Sequence, residues 1–246
     1  MLLATFLIDL AAGLYCFLPL VGRRNAGPKF YRLVLGITAA LVAIAGLSHF
    51  AGGRRDLAMW DAGAVALSAI VLLVLRYPKR LIYRVPLLLL GVALLALAVM
   101  TWREATRSSL AWSVAGALSS VALLGSVSLA MTLGHWYLVV RGMPIDPLKR
   151  LTHATLVAAI LRLIVVVIAL VAGGVAHDVA VRQGIFFWMR AGWGLAGPLL
   201  LYPMVWGTVK IRSTMAATGI LYVDVVAVVI GEVLGGWLSA VVHLPV

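Results

Sequence analysis

Eight mainly apolar stretches run along the chain, near 1–22, 33–53, 57–75, 85–102, 110–133, 151–174, 184–206 and 216–241, separated by short polar gaps. A helix that crosses a bilayer needs about 20 such residues, and a barrel strand about half that. Lipid offers backbone N–H and C=O groups no partner, so runs of this length satisfy themselves as helices. The pattern predicts an all-α, polytopic transmembrane bundle of about eight spans. It reads as a single integral membrane domain over 1–246, with 1–107 and 108–246 as its halves if the chain carries an internal repeat. The gaps are about ten residues or fewer and leave no room for a soluble domain.

Two runs are irregular. The fifth extends from Ser108 to Val140. As helix it would reach roughly 50 Å, against a hydrocarbon core of about 30 Å. It is therefore expected to tilt or to project into the cytoplasm. Its small residues Ser113, Ala115, Gly116, Ser119, Ser120 and Ala122 let helix backbones approach closely, so it is expected at the centre of the bundle. The seventh run contains Gly192–Pro198, the strongest candidate for a broken helix.

Charge alternates between the gaps. Thirteen Lys and Arg residues fall on one side of the eight-span arrangement, including Arg23, Arg24, Lys29 and Arg32 after the first run and Arg76, Lys79, Arg80 and Arg84 after the third. Only five, Arg54, Arg55, Arg103, Arg107 and Arg182, fall on the other. The positive-inside rule puts the thirteen in the cytoplasm and both termini outside, in the inner membrane of a bacterial host. Three of the basic gaps share a proline before or among their cations: Gly27-Pro28-Lys29, Tyr77-Pro78-Lys79-Arg80 and Asp146-Pro147-Leu148-Lys149-Arg150. Proline suits a first helical turn, and Asp146 is a credible N-cap. The first run has no basic segment before it and is long for a signal peptide, so it reads as a retained span.

Composition agrees. Hydrophobic residues make up 64% of the 246 and charged ones 11%, with a mean hydropathy of +1.11. A soluble domain is about 45–50% apolar and about 25% charged. The net charge of +12 sits in short loops beside apolar runs, where it meets anionic lipid headgroups; lipid and further membrane subunits are the expected partners, and nucleic acid is not. The single cysteine, Cys16, excludes an intramolecular disulfide, a CxxC pair and thiolate zinc sites. No residue set points to a metal site. There is no P-loop, GxGxxG, HExxH or GxSxG, and hence no autonomous catalytic motif.

Five ionisable residues lie inside the runs: Asp9, Arg162, Arg190, Asp224 and Glu232. A charge at the centre of a span costs about 2.5–3.5 kcal/mol on insertion scales, so such groups face the bundle interior and pair. At about 1.5 Å per residue, Arg162 lies roughly 17 Å from the cytoplasmic start of its run, and Glu232 and Asp9 roughly 12–14 Å from the outer face. Two layers are expected: Arg162 with Asp224, and Arg190 with Glu232 or Asp9. Asp224 shares a face with Gly231 and Gly235, and Arg190 with Gly194 and Gly197, whereas Glu232 points about 80° away from Asp224. Three acids against two arginines leave one carboxyl over, the chemistry of a proton relay or of coupled transport; the competing reading is a purely structural clamp.

The histidines are the other candidates. His49 and His177 lie near outer ends of runs, as does His243, and His135 and His153 near inner ends. Pairs at one depth could ligate haem b, although diheme spacing within one helix is absent. His135, Trp136 and Tyr137 could hold a quinone headgroup by a hydrogen bond and stacking, or form an interfacial aromatic belt. Quinone is thus the cofactor to consider first, with haem b behind it.

GHWYLVVRGMP at 134–144 with PLKRL at 147–151, and RSTMAATGILYVDVVAVVIGE at 212–232, resemble an uncharacterised family of bacterial multi-span membrane proteins. The resemblance covers mainly the second half and implies a helical membrane fold, with no activity and no catalytic residue. Ala217-Thr218-Gly219 matches a fragment of haem–copper oxidase subunit III, but Tyr222 and Asp224 follow where that family has histidines, so membership does not extend to it. Three functions remain: a subunit of an electron-transfer or energy-coupled complex, a small proton-coupled transporter, and a structural or assembly protein.

Overall fold

In a computed structural model that describes residues 1–75, 84–140 and 142–246, the chain is helical nearly throughout. The helices are α1 (Leu2–Val21), α2 (Arg23–Ala51), α3 (Arg55–Val74), α4 (Arg84–Thr106), α5 (Leu110–Val139), α6 (Asp146–Ala172), the short α7 (Ala176–Arg182) and α8 (Ile185–Met189), then α9 (Gly197–Lys210) and α10 (Thr214–Val242). Among the described residues, α1 to α6 and α10 are seven helices long and apolar enough to cross a membrane. The loop cations Arg76, Lys79 and Arg80, the segment they share with Tyr77 and Pro78, and Arg141 lie outside the described residues.

The expected eighth span, 184–206, is present in pieces. Between α8 and α9 the backbone runs as π-helix over Arg190–Ala196, so no single helix there is long enough to be a span alone. Together the pieces run antiparallel to α10. Phe186 meets Trp237, Gly194 meets Gly231 and Gly197 meets Ala227. Glycine and proline explain the break: Gly192, Gly194 and Gly197 have low helix propensity, and the Pro198 ring cannot occupy a regular α-helical interior.

Local signals fix most boundaries. Ser109 caps α5 by accepting from the Trp112 N–H, and Pro147 sits in the first turn of α6. Gly27 (φ 78°, ψ 167°) interrupts α2 immediately before Pro28, a conformation open to glycine and strained for other residues. α5 lies at the centre as expected, packed against α1, α4, α6 and α10. Its approach to α1 is close enough that a Cβ on Gly13 or Gly125 would overlap the other's backbone. The outer surface is apolar, with Leu47, Val171 and Leu200 each about 70% exposed, as expected of a surface that contacts lipid.

The two termini share one face of the bundle. Leu2 and Thr5 at the start of α1, Thr106 at the end of α4 and Trp237 near the end of α10 line one cavity there, and His243 Nδ1 lies 2.6 Å from the Thr106 carbonyl oxygen.

Candidate functional site

Four of the five buried charges, Asp9, Arg162, Arg190 and Glu232, form one cluster in place of the two expected layers, and Asp224 stands apart from it. Arg162 is fully buried on α6 and grips Glu232 of α10 with two donors, Nε to Oε1 at 3.1 Å and Nη2 to Oε2 at 2.9 Å. Its third nitrogen, Nη1, donates to Ser119 Oγ at 3.1 Å and approaches the Gly116 carbonyl at 3.5 Å. Arg190, also fully buried, brings Nη1 to 2.8 Å from Glu232 Oε1. Both arginines therefore share one carboxylate.

The expected pairing of Arg162 with Asp224 fails because α6 starts at Asp146, five residues earlier than its apolar run suggests. Arg162 is then about 24 Å along its helix and Glu232 about 27 Å along the parallel α10, which puts them level; Asp224 is only about 15 Å along. Asp224 stays buried, with Oδ1 unpartnered, and joins neither arginine. Two acids, not one, are thus left without an arginine contact.

Asp9 is the second. It is 1% exposed on α1 and accepts a hydrogen bond from Trp102 Nε1 at 2.6 Å. The Trp102 ring faces the other way onto Arg162, whose guanidinium carbon lies 5.4 Å from the ring centroid. One indole thus joins Asp9 to the arginine knot through a hydrogen bond on its edge and a cation–π contact on its face. Ser120 of α5 stands beside both Asp9 and Glu232. The other oxygen of Asp9, Oδ1, is buried and has no partner.

The small residues of α5 make this geometry fit. A Cβ on Gly116 would strike the Trp102 ring at 2.6 Å. On the opposite side, Gly231 lets the π-helical segment approach through Gly194, and Gly235 leaves room for the Arg190 guanidinium. The glycine stripes on α10 and the π-helical segment, expected as packing faces, thus also seat a buried arginine.

A cavity of about 610 Å³ reaches this cluster from the termini face. Its walls are mostly apolar, from Leu2, Phe6, Leu234 and Trp237, and its polar lining includes Asp9, Ser120 and Glu232.

The histidines are dispersed. His49 is buried rather than solvated, with Nδ1 2.6 Å from Asp61 Oδ2 across α2 and α3. Its Nε2 and Asp61 Oδ1 are unpartnered. His177 is exposed beside Asp178. His135 pairs with Tyr222 at 3.2 Å, and His153 with Tyr202 at 3.0 Å and the Trp206 ring at 4.3 Å. His135, Trp136 and Tyr137 do not converge: Trp136 Nε1 donates to the Ala26 carbonyl at 3.3 Å, and the Tyr137 hydroxyl donates to the Pro144 carbonyl. Among the described residues no three His, Cys, Asp or Glu side chains gather as a metal site requires.

Trp102 and Asp61 belong to these polar contacts without having stood out in the sequence, and Ser119 and Ser120, expected there only as small packing residues, also take part in them. Asp61 had a visible signal, a carboxylate five residues inside an apolar run. Trp102 had none, since a tryptophan near a span end ordinarily marks the interface.

No protein-family model, curated protein or solved structure matches the chain. The protein is a multi-span integral membrane protein in contact with lipid.

Proposed function

We propose that the protein is an energy-coupled protein of the bacterial inner membrane, with both termini outside, in which Asp9 takes up and releases a proton. A small proton-coupled carrier is the form the geometry supports best. The observation that carries this is the Asp9 carboxylate: buried, held by Trp102 through one oxygen, with the other oxygen unpartnered, on a residue that lines a ligand-sized cavity. Glu232 also reaches the cavity but is held by two arginines, and Asp224 lies away from it. The groups that surround Asp9 are Trp102 of α4, Ser120 of α5, Arg162 of α6 and Glu232 of α10. Arg190 meets the same Glu232, so Arg162, Arg190, Glu232 and Asp9 sum to zero with Asp9 ionised and to one positive charge with Asp9 protonated, and proton and ligand occupancy are coupled through this local charge balance. The segmented helix supports the carrier reading, because discontinuous helices beside a buried polar site are the working parts of secondary transporters.

The second reading, a subunit of an electron-transfer complex, is favoured by the same cavity, which has the size and the hydrogen-bonding floor for a quinone ring. Proteoliposomes that enclose a pH-sensitive dye separate the two. Under an imposed pH gradient the carrier moves protons without quinone, and Asp9→Asn abolishes the protein-dependent component. Proton movement at the wild-type rate in Asp9→Asn would refute the role of Asp9. Movement only after quinone is added would favour the complex subunit.

A further inference from the structure

We propose that the cavity between α1, α4 and α10 binds a neutral, lipid-soluble molecule bearing a hydroxyl group, which enters sideways from the bilayer and donates its hydroxyl hydrogen to Asp9 Oδ1. The inference rests on the reading above to the extent that Asp9 is the acid open to the cavity.

Four observations select this ligand. The volume, about 610 Å³, lies within the range of small-molecule sites, and the walls are almost wholly apolar, so the body of the ligand is apolar. Leu3 and Val233 line the cavity and are 58% and 51% exposed, so its wall there is continuous with the lipid-facing apolar surface. At the inner end, Asp9 Oδ1 is a buried acceptor without a donor. A ketone or an ester offers it no hydrogen, whereas an alcohol, phenol or hydroquinone does. Finally, Arg162 and Arg190 against Glu232 and ionised Asp9 sum to zero charge. In a low-dielectric interior an ammonium or carboxylate head would leave that set unbalanced, and a hydroxyl does not.

Gly236 provides a test. It lines the cavity, and a Cβ there would meet nothing within 4 Å, so Gly236→Leu starts its side chain in open space and adds bulk to the cavity wall, with thermal unfolding as the check that the fold is kept. Trp102 and Trp237 also line it, so a heavy-atom quencher that enters will darken their fluorescence. The probe is a long-chain alcohol brominated near its hydroxyl end, added to the purified full chain in lipid nanodiscs. Brominated fatty acid and brominated alkylammonium of the same chain length serve as comparisons. The alcohol is expected to quench saturably, to be displaced by its unbrominated form, and to bind about tenfold more tightly than either charged analogue. Gly236→Leu should abolish the saturable component, and Asp9→Asn should weaken it by about tenfold. Quenching that never saturates, or that persists in Gly236→Leu, means partition into lipid alone and overturns the site. Tighter binding of the ammonium or the fatty acid overturns the neutral headgroup. No proton moves in this assay, so saturable quenching alongside unchanged proton flux in Asp9→Asn would remove the proton role and leave the binding site standing.

Discussion

Glu232 holds the buried charges together. Its two oxygens meet Arg162 and Arg190 in the buried interior of the bundle, and removal of one partner from a buried pair costs about 3–5 kcal/mol because the other charge is left bare. Glu232→Gln strands two guanidiniums, and thermal unfolding in detergent should show it as the most destabilised of the charge variants. Arg190→Met should be milder, since Arg162 keeps both of its bonds to Glu232. Asp224→Asn breaks no ion pair and should be the mildest of the three. An Asp224→Asn loss as large as that of Glu232→Gln would contradict the assignment of Glu232 as the shared partner. At this scale the sequence was only half legible. The five charges were visible because each interrupts an apolar run. Their partners were not, because a helix start misplaced by five residues shifts Arg162 by about 7 Å along its axis.

At the scale of the helix, close backbone approaches decide the architecture. α1 and α5 cross where Gly13 faces Gly125, and α10 meets the π-helical segment where Gly231 faces Gly194. Overpacking of a tight contact costs about 1–3 kcal/mol, so Gly125→Ala is predicted to lower the unfolding temperature in detergent, whereas Gly207→Ala, with open space at its Cβ, is not. Gly116→Ala differs in kind. It pushes on the Trp102 ring, and should disturb the Asp9 hydrogen bond and proton movement more than stability. The small residues of α5 were legible as a packing surface. That they also make room for Trp102 was not, because the ring comes from α4 and its position depends on the assembled bundle. The break at Gly192–Pro198 was legible from glycine and proline alone, whereas its π-helical form was not.

Across the whole molecule, lipid-facing apolar surface surrounds the Glu232–arginine cluster and the cavity that reaches it near the termini. The shared face of the termini makes the topology testable. In a Cys16→Ala background, single cysteines at Arg55 and Ser108 should react with an impermeant thiol reagent added outside intact cells, and cysteines at Arg24 and Arg212 should react only after the membrane is opened. The reverse pattern would invert the orientation that the loop cations indicate. The central claim, that Asp9 is the carboxyl that exchanges a proton at the cavity floor, is tested most directly by infrared difference spectroscopy of the purified protein between acidic and alkaline buffer. A protonated-carboxyl C=O band is expected to appear on acidification in the wild type and to be missing in Asp9→Asn. An identical difference spectrum in the two proteins would contradict that claim.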